Sequence, residues 1–361
     1  MFPLFPLYFC EKIQVMGEFQ ALVISEVKRE TQNSVSVSFI IPENLKETFA
    51  FKAGQYITIK FQDGKKEIRR AYSICSSPKS GELRVGIKKV EKGLFSKFAN
   101  EKLKAGDTLQ VMPPVGKFLL EPNLKHYAAF AGGSGITPIL SLVKSSLEEM
   151  PESKFLLVFS NKSLEETMFY HELLELQNTY SGRLFVEFVF SRKLEDIGKF
   201  GRIDRSLVNY FLKTKYGKTS FESFYLCGPE EMIDEVSATL KHNGINSKQI
   251  HHELFSTAEK GLLVEKHDGM TNITIILDDD TEVFTMPQTK SILEAALDKG
   301  LDAPYSCQGG ICSTCIARLK EGKAEMRKNQ ILTESEIADG LILTCQAHPT
   351  TPTIVVDYDD V

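Results

Sequence analysis

No apolar run in this 361-residue sequence approaches the roughly 20 residues a helix needs to cross a bilayer. A secretory signal is missing too. Residues 1–15, MFPLFPLYFCEKIQV, are apolar and Pro-broken, with neither a basic n-region nor a small-residue cleavage site before Gly17. That stretch reads as an N-terminal extension ahead of a start at Met16. Cysteine is scarce, with seven residues. The chain reads as cytoplasmic, so disulfides are not expected and clustered cysteines point to metal or redox chemistry. Internal repeats are absent. Neither nucleic acid nor membrane insertion is expected.

The composition itself is ordinary. Charged residues make up 25% and hydrophobic ones 42%, which excludes extensive disorder, and the length implies two or three folded units. Charge is unevenly placed. Residues 271–361 hold 7 basic against 15 acidic residues, a net of −8, while residues 1–270 hold 36 against 33, a net of +3. An acidic C-terminal module on a slightly basic body suits electrostatic docking, although a solvated surface explains it as well.

Three grammars follow one another along the chain. Between residues 19 and 120, EFQALVISEVKR, SVSVSFIIP, QYITIKF, EIRRAYSI and LRVGIKKV read as short strands around one helix at 94-LFSKFANEKL-103. They predict a small antiparallel β-barrel. From residue 124, apolar strands alternate with helices: 126-HYAAFAGG-133, helix 138–150, 154-KFLLVFSN-161, helix 165–177, 184-LFVEFVFSR-192, 223-SFYLCG-228 and helix 230–244. Such alternation predicts an α/β unit with a parallel sheet. Residues 257–270 read as a linker. Beyond it, 273-ITIILDDDTEVFTM-286 reads as a hairpin, followed by a helix that a capping box opens at Ser291 with Glu294 and that Gly300 ends. The expected boundaries are 17–122, 123–256 and 271–361.

The C-terminal module carries the sharpest signal. In 305-YSCQGGICSTC-315, Cys307, Cys312 and Cys315 are separated by four and two residues, and Cys345 follows after twenty-nine more. This is the plant-type spacing for a [2Fe–2S] cluster on four thiolates. Gly309 and Gly310 suit a loop whose amides approach cluster sulfurs. A structural zinc site competes, but zinc ligands usually come as two close doublets. The order hairpin, helix, cysteine loop, returning cysteine resembles plant-type ferredoxins, which implies an α+β β-grasp fold over 271–361.

Upstream, 69-RRAYSICSSP-78 offers a phosphate-neutralising Arg70, a stacking Tyr72 and a hydrogen-bonding Ser73. Taken alone, a barrel strand bearing such residues is commonplace. The turn 132-GGSGITP-138 lies between a strand and a helix, where glycines and free amides suit a pyrophosphate, with Thr137 as N-cap and Pro138 opening the helix. It is not the full dinucleotide fingerprint, and a plain loop would look similar.

Taken together with 227-CGPEEM-232, these motifs resemble the ferredoxin–NADP reductase superfamily over residues 19–256. The resemblance implies that Arg70, Tyr72 and Ser73 hold FAD, with Ser73 beside the hydride-accepting nitrogen. Ile87, Lys88, Gly93 and Ser96 would contact the rest of the flavin. Ser134, Gly135 and Thr137 would bind the nicotinamide dinucleotide, and Cys227, Gly228 and Pro229 would line its nicotinamide end, with Ser73 and Cys227 as the catalytic pair. Ser191 and Arg192 stand where NADP-specific members keep a Ser-Arg pair, which favours NADPH while leaving NADH possible. Phe255 either covers the flavin or belongs to the core. Cys75 reads as a core residue, Cys10 has no assignment, and His251 and His252 read as surface.

An FAD barrel, a nicotinamide domain and a ferredoxin module would form an electron-transfer oxidoreductase serving an oxygenase. The stretches 69-RRAYSIC-75, 200-FGRID-204 and 343-LTCQAHPTTPTIVVDYD-359 are similar to the reductase subunits of ring-1,2-phenylacetyl-CoA epoxidases. That implies a di-iron acceptor in phenylacetate breakdown. Reductases of Rieske and steroid hydroxylases share the order, and a non-enzymatic redox or zinc-binding regulator is the alternative from another class. The missing haem-globin segment excludes a flavohaemoglobin within this chain.

Overall fold

The computed structural model describes residues 19–63, 66–91, 93–255, 269–305, 308–310, 314–329 and 332–361. Cys10, the N-terminal extension, nearly all of the 257–270 connection, Cys307 and Cys312 lie outside them.

The first sheet contains β1 (Gln20–Thr31), β2 (Ser34–Ile40), β3 (Tyr56–Asp63), β4 (Lys66–Ser73), β5 (Leu83–Lys88) and β6 (Thr108–Val111). All pairs are antiparallel, in the order β4-β3-β6-β1-β2-β5. A bridge from Ile74 to Val85 joins the two outer strands and closes the barrel. Val35, Val37, Ile57, Ile59, Val85 and Ile87 fill it, and α1 (Leu94–Glu101) inserts Phe95 and Ala99 at its mouth. Strand β6 was not anticipated. Its four residues are too few for alternation to register in sequence.

The second sheet is parallel, in the order β10-β9-β8-β7-β11-β12. Its strands are β7 (His126–Gly132), β8 (Lys154–Asn161), β9 (Leu184–Phe190), β10 (Lys199–Phe200), β11 (Ser223–Cys227) and β12 (Ile250–Glu253). Alternation along β7 divides the core. Tyr127, Ala129 and Ala131 pack with α2 (Ile136–Glu149) and α3 (Tyr170–Thr179). Ala128 and Phe130 pack on the other face with α4 (Arg205–Asn209) and α5 (Glu230–His242). The chain steps outward through β8 and β9, then crosses to β11 on the far side of β7. Open α/β sheets form their ligand crevice at such a switch point, outside the carboxyl ends of the strands.

Several expectations shift here. Helix α2 starts at Ile136 with Gly135 as its N-cap, so Thr137 lies in the first turn and donates to the Ser134 carbonyl at 3.0 Å. Pro138 is therefore the third helical residue. Helix α3 begins at Tyr170 instead of residue 165, because Met168 and Phe169 turn inward to the core and Phe169 takes a left-handed φ of 58°. Strand β9 ends at Phe190, which leaves Ser191 and Arg192 in the following loop.

The third unit has a five-stranded sheet, β14-β13-β19-β15-β17, and a small β16-β18 pair. Its strands are β13 (Met270–Leu277), β14 (Asp280–Pro287), β15 (Ile316–Glu321), β16 (Ala324–Met326), β17 (Leu341–Leu343), β18 (Ala347–Pro349) and β19 (Thr353–Asp357). Parallel pairing of β13 with β19 and the packing of α6 (Ile292–Asp298) give a β-grasp, and α7 (Glu334–Ala338) precedes β17. Asp278 and Asp279, at φ 56° and 62°, make the tight hairpin turn. At Ser291 half of the expected capping box forms: its hydroxyl accepts from the Glu294 amide, but the Glu294 carboxylate faces Lys290 instead. The complete box caps α7, between Thr333 and Glu336.

Among the described residues, no helix is long and apolar enough to cross a membrane.

Candidate functional site

The crevice is built where β7 and β11 end. Gly135 has an ordinary helical φ, yet a Cβ there would stand 2.1 Å from the Cys227 carbonyl oxygen. Only glycine lets the 132–135 turn close on residues 227–229. Ser134 lies half-buried in this turn, Gly228 is half-buried and Pro229 is exposed. Lys88 reaches over from the barrel, its Nζ 3.8 Å from where a Gly133 Cβ would stand and 3.8 Å from Glu166. Burial lowers the Lys88 pKa, while Glu166 acts against the shift.

Cys227 is fully buried, and burial first, then neighbouring Glu253, pushes its thiol well above the ordinary range. It stays a neutral thiol and is no ready nucleophile. Glu253 faces Cys227 across the β11–β12 pair. Its carboxylate accepts from Ser73 Oγ at 3.1 Å. Burial pushes that carboxyl up to about 7, with the Ser73 hydrogen bond opposing the shift. Ser73, Cys227 and Glu253 thus meet where barrel and parallel sheet join. Sequence reading had missed Glu253. Its signal was an acid on a short strand, two residues before Phe255, and I-H-H-E has no apolar alternation to mark it as a strand.

Around this meeting point, Tyr72 packs against Phe95 with ring centroids 5.7 Å apart, and burial raises its phenol pKa while Arg70 opposes it. Arg70 is exposed and donates to the Arg69 carbonyl at 2.7 Å. Ile87 is fully buried in the barrel core. Gly93 is the N-cap of α1, where the Ser96 hydroxyl accepts from the Val90 amide at 3.1 Å. Phe255 is partly exposed at the end of this described segment. His252 is exposed as expected, but His251 stacks on Tyr225 at 4.9 Å and is half-buried, a correction caused by β12 joining the sheet edge.

Ser191 accompanies the sheet edge: its amide and hydroxyl both donate to the Asn161 carbonyl, at 2.9 and 3.3 Å. Arg192 is exposed beside it.

Barrel and sheet are tied together by a half-buried charge cluster. Glu172 on α3 accepts from Arg84 on β5 at 2.6 Å and pairs with Lys144 on α2. Cys75 lies alongside, fully buried, its Sγ donating to the Arg84 carbonyl at 3.3 Å and its thiol pushed by burial up to about 12. It is a core residue.

In the β-grasp unit, Cys315 and Cys345 are both buried. Thr344, next to Cys345, donates its amide and hydroxyl to the Cys315 carbonyl at 3.0 and 2.9 Å. Burial, and then these two thiols, raise the Tyr358 phenol. Gly310 has a φ of 72°, and a Cβ there would lie 2.5 Å from the Lys328 carbonyl, so the loop requires glycine. Gln346 holds the same loop by donating to the Gln308 carbonyl at 3.0 Å. Two buried thiols beside a tightly held glycine loop fit the donor chemistry of an iron–sulfur centre.

Comparison with known proteins finds the three domain types in the expected order. Residues 21–119 match the oxidoreductase FAD-binding domain, 130–238 the oxidoreductase NAD-binding domain, and 275–350 the 2Fe-2S iron-sulfur cluster binding domain. The last match favours iron–sulfur over zinc. The chain is 37% identical to a subunit of the 1,2-phenylacetyl-CoA epoxidase of Escherichia coli, over 95% of this chain and 99% of that protein. It is 31% identical to the ferredoxin reductase component of 3-ketosteroid-9-alpha-monooxygenase from Rhodococcus rhodochrous, over 93% and 96%. In fold it resembles phthalate dioxygenase reductase, with a TM-score of 0.61, 23% identity and coverage of 94% and 98%. Three matched domains and full-length similarity place this chain in the family of FAD-, NAD- and 2Fe-2S-binding oxidoreductases to which that phenylacetyl-CoA epoxidase component belongs.

Proposed function

We propose that the chain is the reductase component of a multicomponent oxygenase, carrying electrons from NADPH through FAD and a [2Fe–2S] cluster to a di-iron epoxidase of phenylacetyl-CoA. The observation that carries the reading is the meeting of Ser73, Glu253 and Cys227 at the seam between the two upstream units. The units are read as 17–122 and 123–256, joined through 257–270 to 271–361. The similarity to a phenylacetyl-CoA epoxidase component supports that acceptor, and the likeness to a ketosteroid monooxygenase reductase keeps a steroid hydroxylase as the second candidate.

When bound, FAD supplies acceptance of a hydride and release of single electrons, and the cluster supplies one-electron transfer. The chain supplies the rest. Tyr72 offers a ring face and Arg70 a cation for a flavin phosphate, with Ile87, Lys88, Gly93 and Ser96 along the remainder. Ser134, Gly135 and Thr137 present the start of α2 to a pyrophosphate. Cys227, Gly228 and Pro229 form the wall for the nicotinamide, and the neutral Cys227 thiol packs without competing as a nucleophile. Glu253, titrating near neutrality, holds a proton next to the Ser73 hydroxyl and can exchange it through that bond. Cys307, Cys312, Cys315 and Cys345 are read as the cluster ligands, and Ser191 with Arg192 as the grip on a 2′-phosphate.

The test combines spectrum and partner. Purified protein should show flavin and iron–sulfur absorption, and a colourless protein would remove the reading. A pull-down from cells grown on phenylacetate should recover di-iron oxygenase components. Recovery of a Rieske or steroid hydroxylase instead would reassign the acceptor.

A further inference from the structure

Strand pairing gives the β3–β4 hairpin two chemically different faces. Tyr56 lies opposite Ser73, Thr58 opposite Ala71 and Lys60 opposite Arg69, so these six residues share one face. Ile57 and Ile59 point the other way into the barrel core, on the side that also receives Tyr72. The face carrying Arg69 is therefore outer. It meets the β-grasp unit just before the cysteine loop and again within it. Before the loop, Arg69 Nη2 donates to Asp302 Oδ1 at 2.9 Å, and its guanidinium lies 5.1 Å from the Tyr305 ring centre and 4.9 Å from that of Phe19. Within the loop, Tyr56 Oη lies 3.4 Å from Thr314 Oγ1, next to Cys315.

Arg69 is 7% exposed, whereas the Asp302 side chain is 84% exposed. An ion pair with so exposed a carboxylate contributes little by itself. The guanidinium also lies over two aromatic rings, those of Phe19 and Tyr305, while Asp302 accepts from its fork; a lysine ammonium could not reproduce this planar contact.

We propose that Arg69 is a positioning residue that seats the cysteine loop on the outer face of the strand whose inner face carries Tyr72. In this way it fixes the spacing between flavin side and cluster side. This rests on the electron-transfer reading above. Arg69 takes no part in the chemistry: the electron lost on the flavin side is the one gained on the cluster side.

The test uses the full-length holoprotein, with Arg69→Ala, Arg69→Lys and Asp302→Arg. The wild-type spectrum is read first, since missing flavin or iron–sulfur bands would remove the functional reading and leave the docking contact standing. Hydrogen–deuterium exchange over residues 299–305 then reports docking independently of turnover, and anaerobic stopped-flow separates flavin reduction from cluster reduction. In Arg69→Ala, exchange should quicken and flavin reduction by NADPH should be unchanged. Cluster reduction should slow by a few-fold or more, because electron transfer weakens with distance. Arg69→Lys should be intermediate. Asp302→Arg alters an exposed side chain and so avoids a folding defect; a like charge facing Arg69 should quicken exchange and slow cluster reduction in the same direction, by less than Arg69→Ala. Wild-type exchange and cluster reduction in Asp302→Arg or Arg69→Ala would overturn the proposal, as would loss of bound flavin in Arg69→Ala, which would assign the residue to the barrel.

Discussion

Ser73 donates its hydroxyl hydrogen to Glu253 across 180 residues of sequence, and this single bond ties the barrel to the last strand of the parallel sheet. Because burial lifts the Glu253 carboxyl from 4.5 to about 7, its ionisation opposes folding. The unfolded chain loses that proton first, so the associated stability is complete below pH 4.5 and is lost as pH rises through 7. Relative to Glu253→Gln, wild type should lose about 3 kcal/mol over that interval, measured by denaturant melts at pH 4.5 to 8. The rate of flavin reduction by NADPH should show a transition near pH 7 that Glu253→Gln lacks. Parallel pH profiles for the two proteins would contradict the assignment.

Glu172 behaves in the opposite sense. Burial by itself would raise its carboxyl, but Lys144 and Arg84 outweigh burial and hold it below the ordinary value. Its contribution is present above pH 4.5 and fades as pH falls through the lowered pKa. Glu172→Gln takes the shared carboxylate from the half-buried Lys144 and Arg84, leaving Arg84 only the more distant Glu82, and should destabilise the protein by about 2 kcal/mol at pH 7. Thermal melts of both proteins check this, and the difference should narrow toward low pH.

Arg192 tests nucleotide choice. Wild type should prefer NADPH, and Arg192→Ala should raise KM for NADPH on the order of tenfold, the scale of one charge-assisted hydrogen bond, while leaving NADH kinetics nearly unchanged. Equal kcat/KM with the two nucleotides in wild type would reject the assignment.

Cys345→Ser should separate the two halves of the pathway. A neutral hydroxyl is a poor ligand for iron, so iron–sulfur absorption should disappear while flavin remains. Ferricyanide, small enough to react at the flavin, should still be reduced at close to the wild-type rate, and transfer to a protein acceptor should fail. Loss of ferricyanide reduction with flavin retained would show that the relay is not linear.

Electron delivery should weaken with salt. The net −8 of residues 271–361 includes Asp278, Asp279 and Asp359 gathered at one hairpin end, where the Asp359 carboxylate accepts from both turn amides. Screening shortens the reach of such a field. Rates to the oxygenase that stay flat from 50 to about 500 mM salt would contradict a charge-guided encounter.

Much of this architecture was legible because its signals are local. Alternation marked the long barrel strands, strand–helix alternation marked the parallel sheet, and cysteine spacing marked the iron–sulfur module. What escaped depends on distant partners. Phe169 breaks a helical pattern because the core claims its ring. Glu253 gains meaning only from Ser73 and Cys227, and β12 exists because β11 offers it an edge. Arg69 and Arg70 are adjacent and chemically alike, and only the strand's pleat tells which lies over two rings and which is exposed.

That pleat also limits how the chain can change in evolution. Arg70 and Tyr72 point one way from β4, and Arg69 and Ser73 the other. Inserting or deleting one residue between the Asp63–Lys66 pair and Arg69 would turn every later side chain to the opposite face. Arg69 and the Glu253 partner would swing into the barrel, and the Tyr72 ring would swing out, so both contact surfaces would fail together. A two-residue change keeps the parity and shifts the register without exchanging the faces. Length variation in this hairpin among descendants of the sequence is therefore expected in even steps.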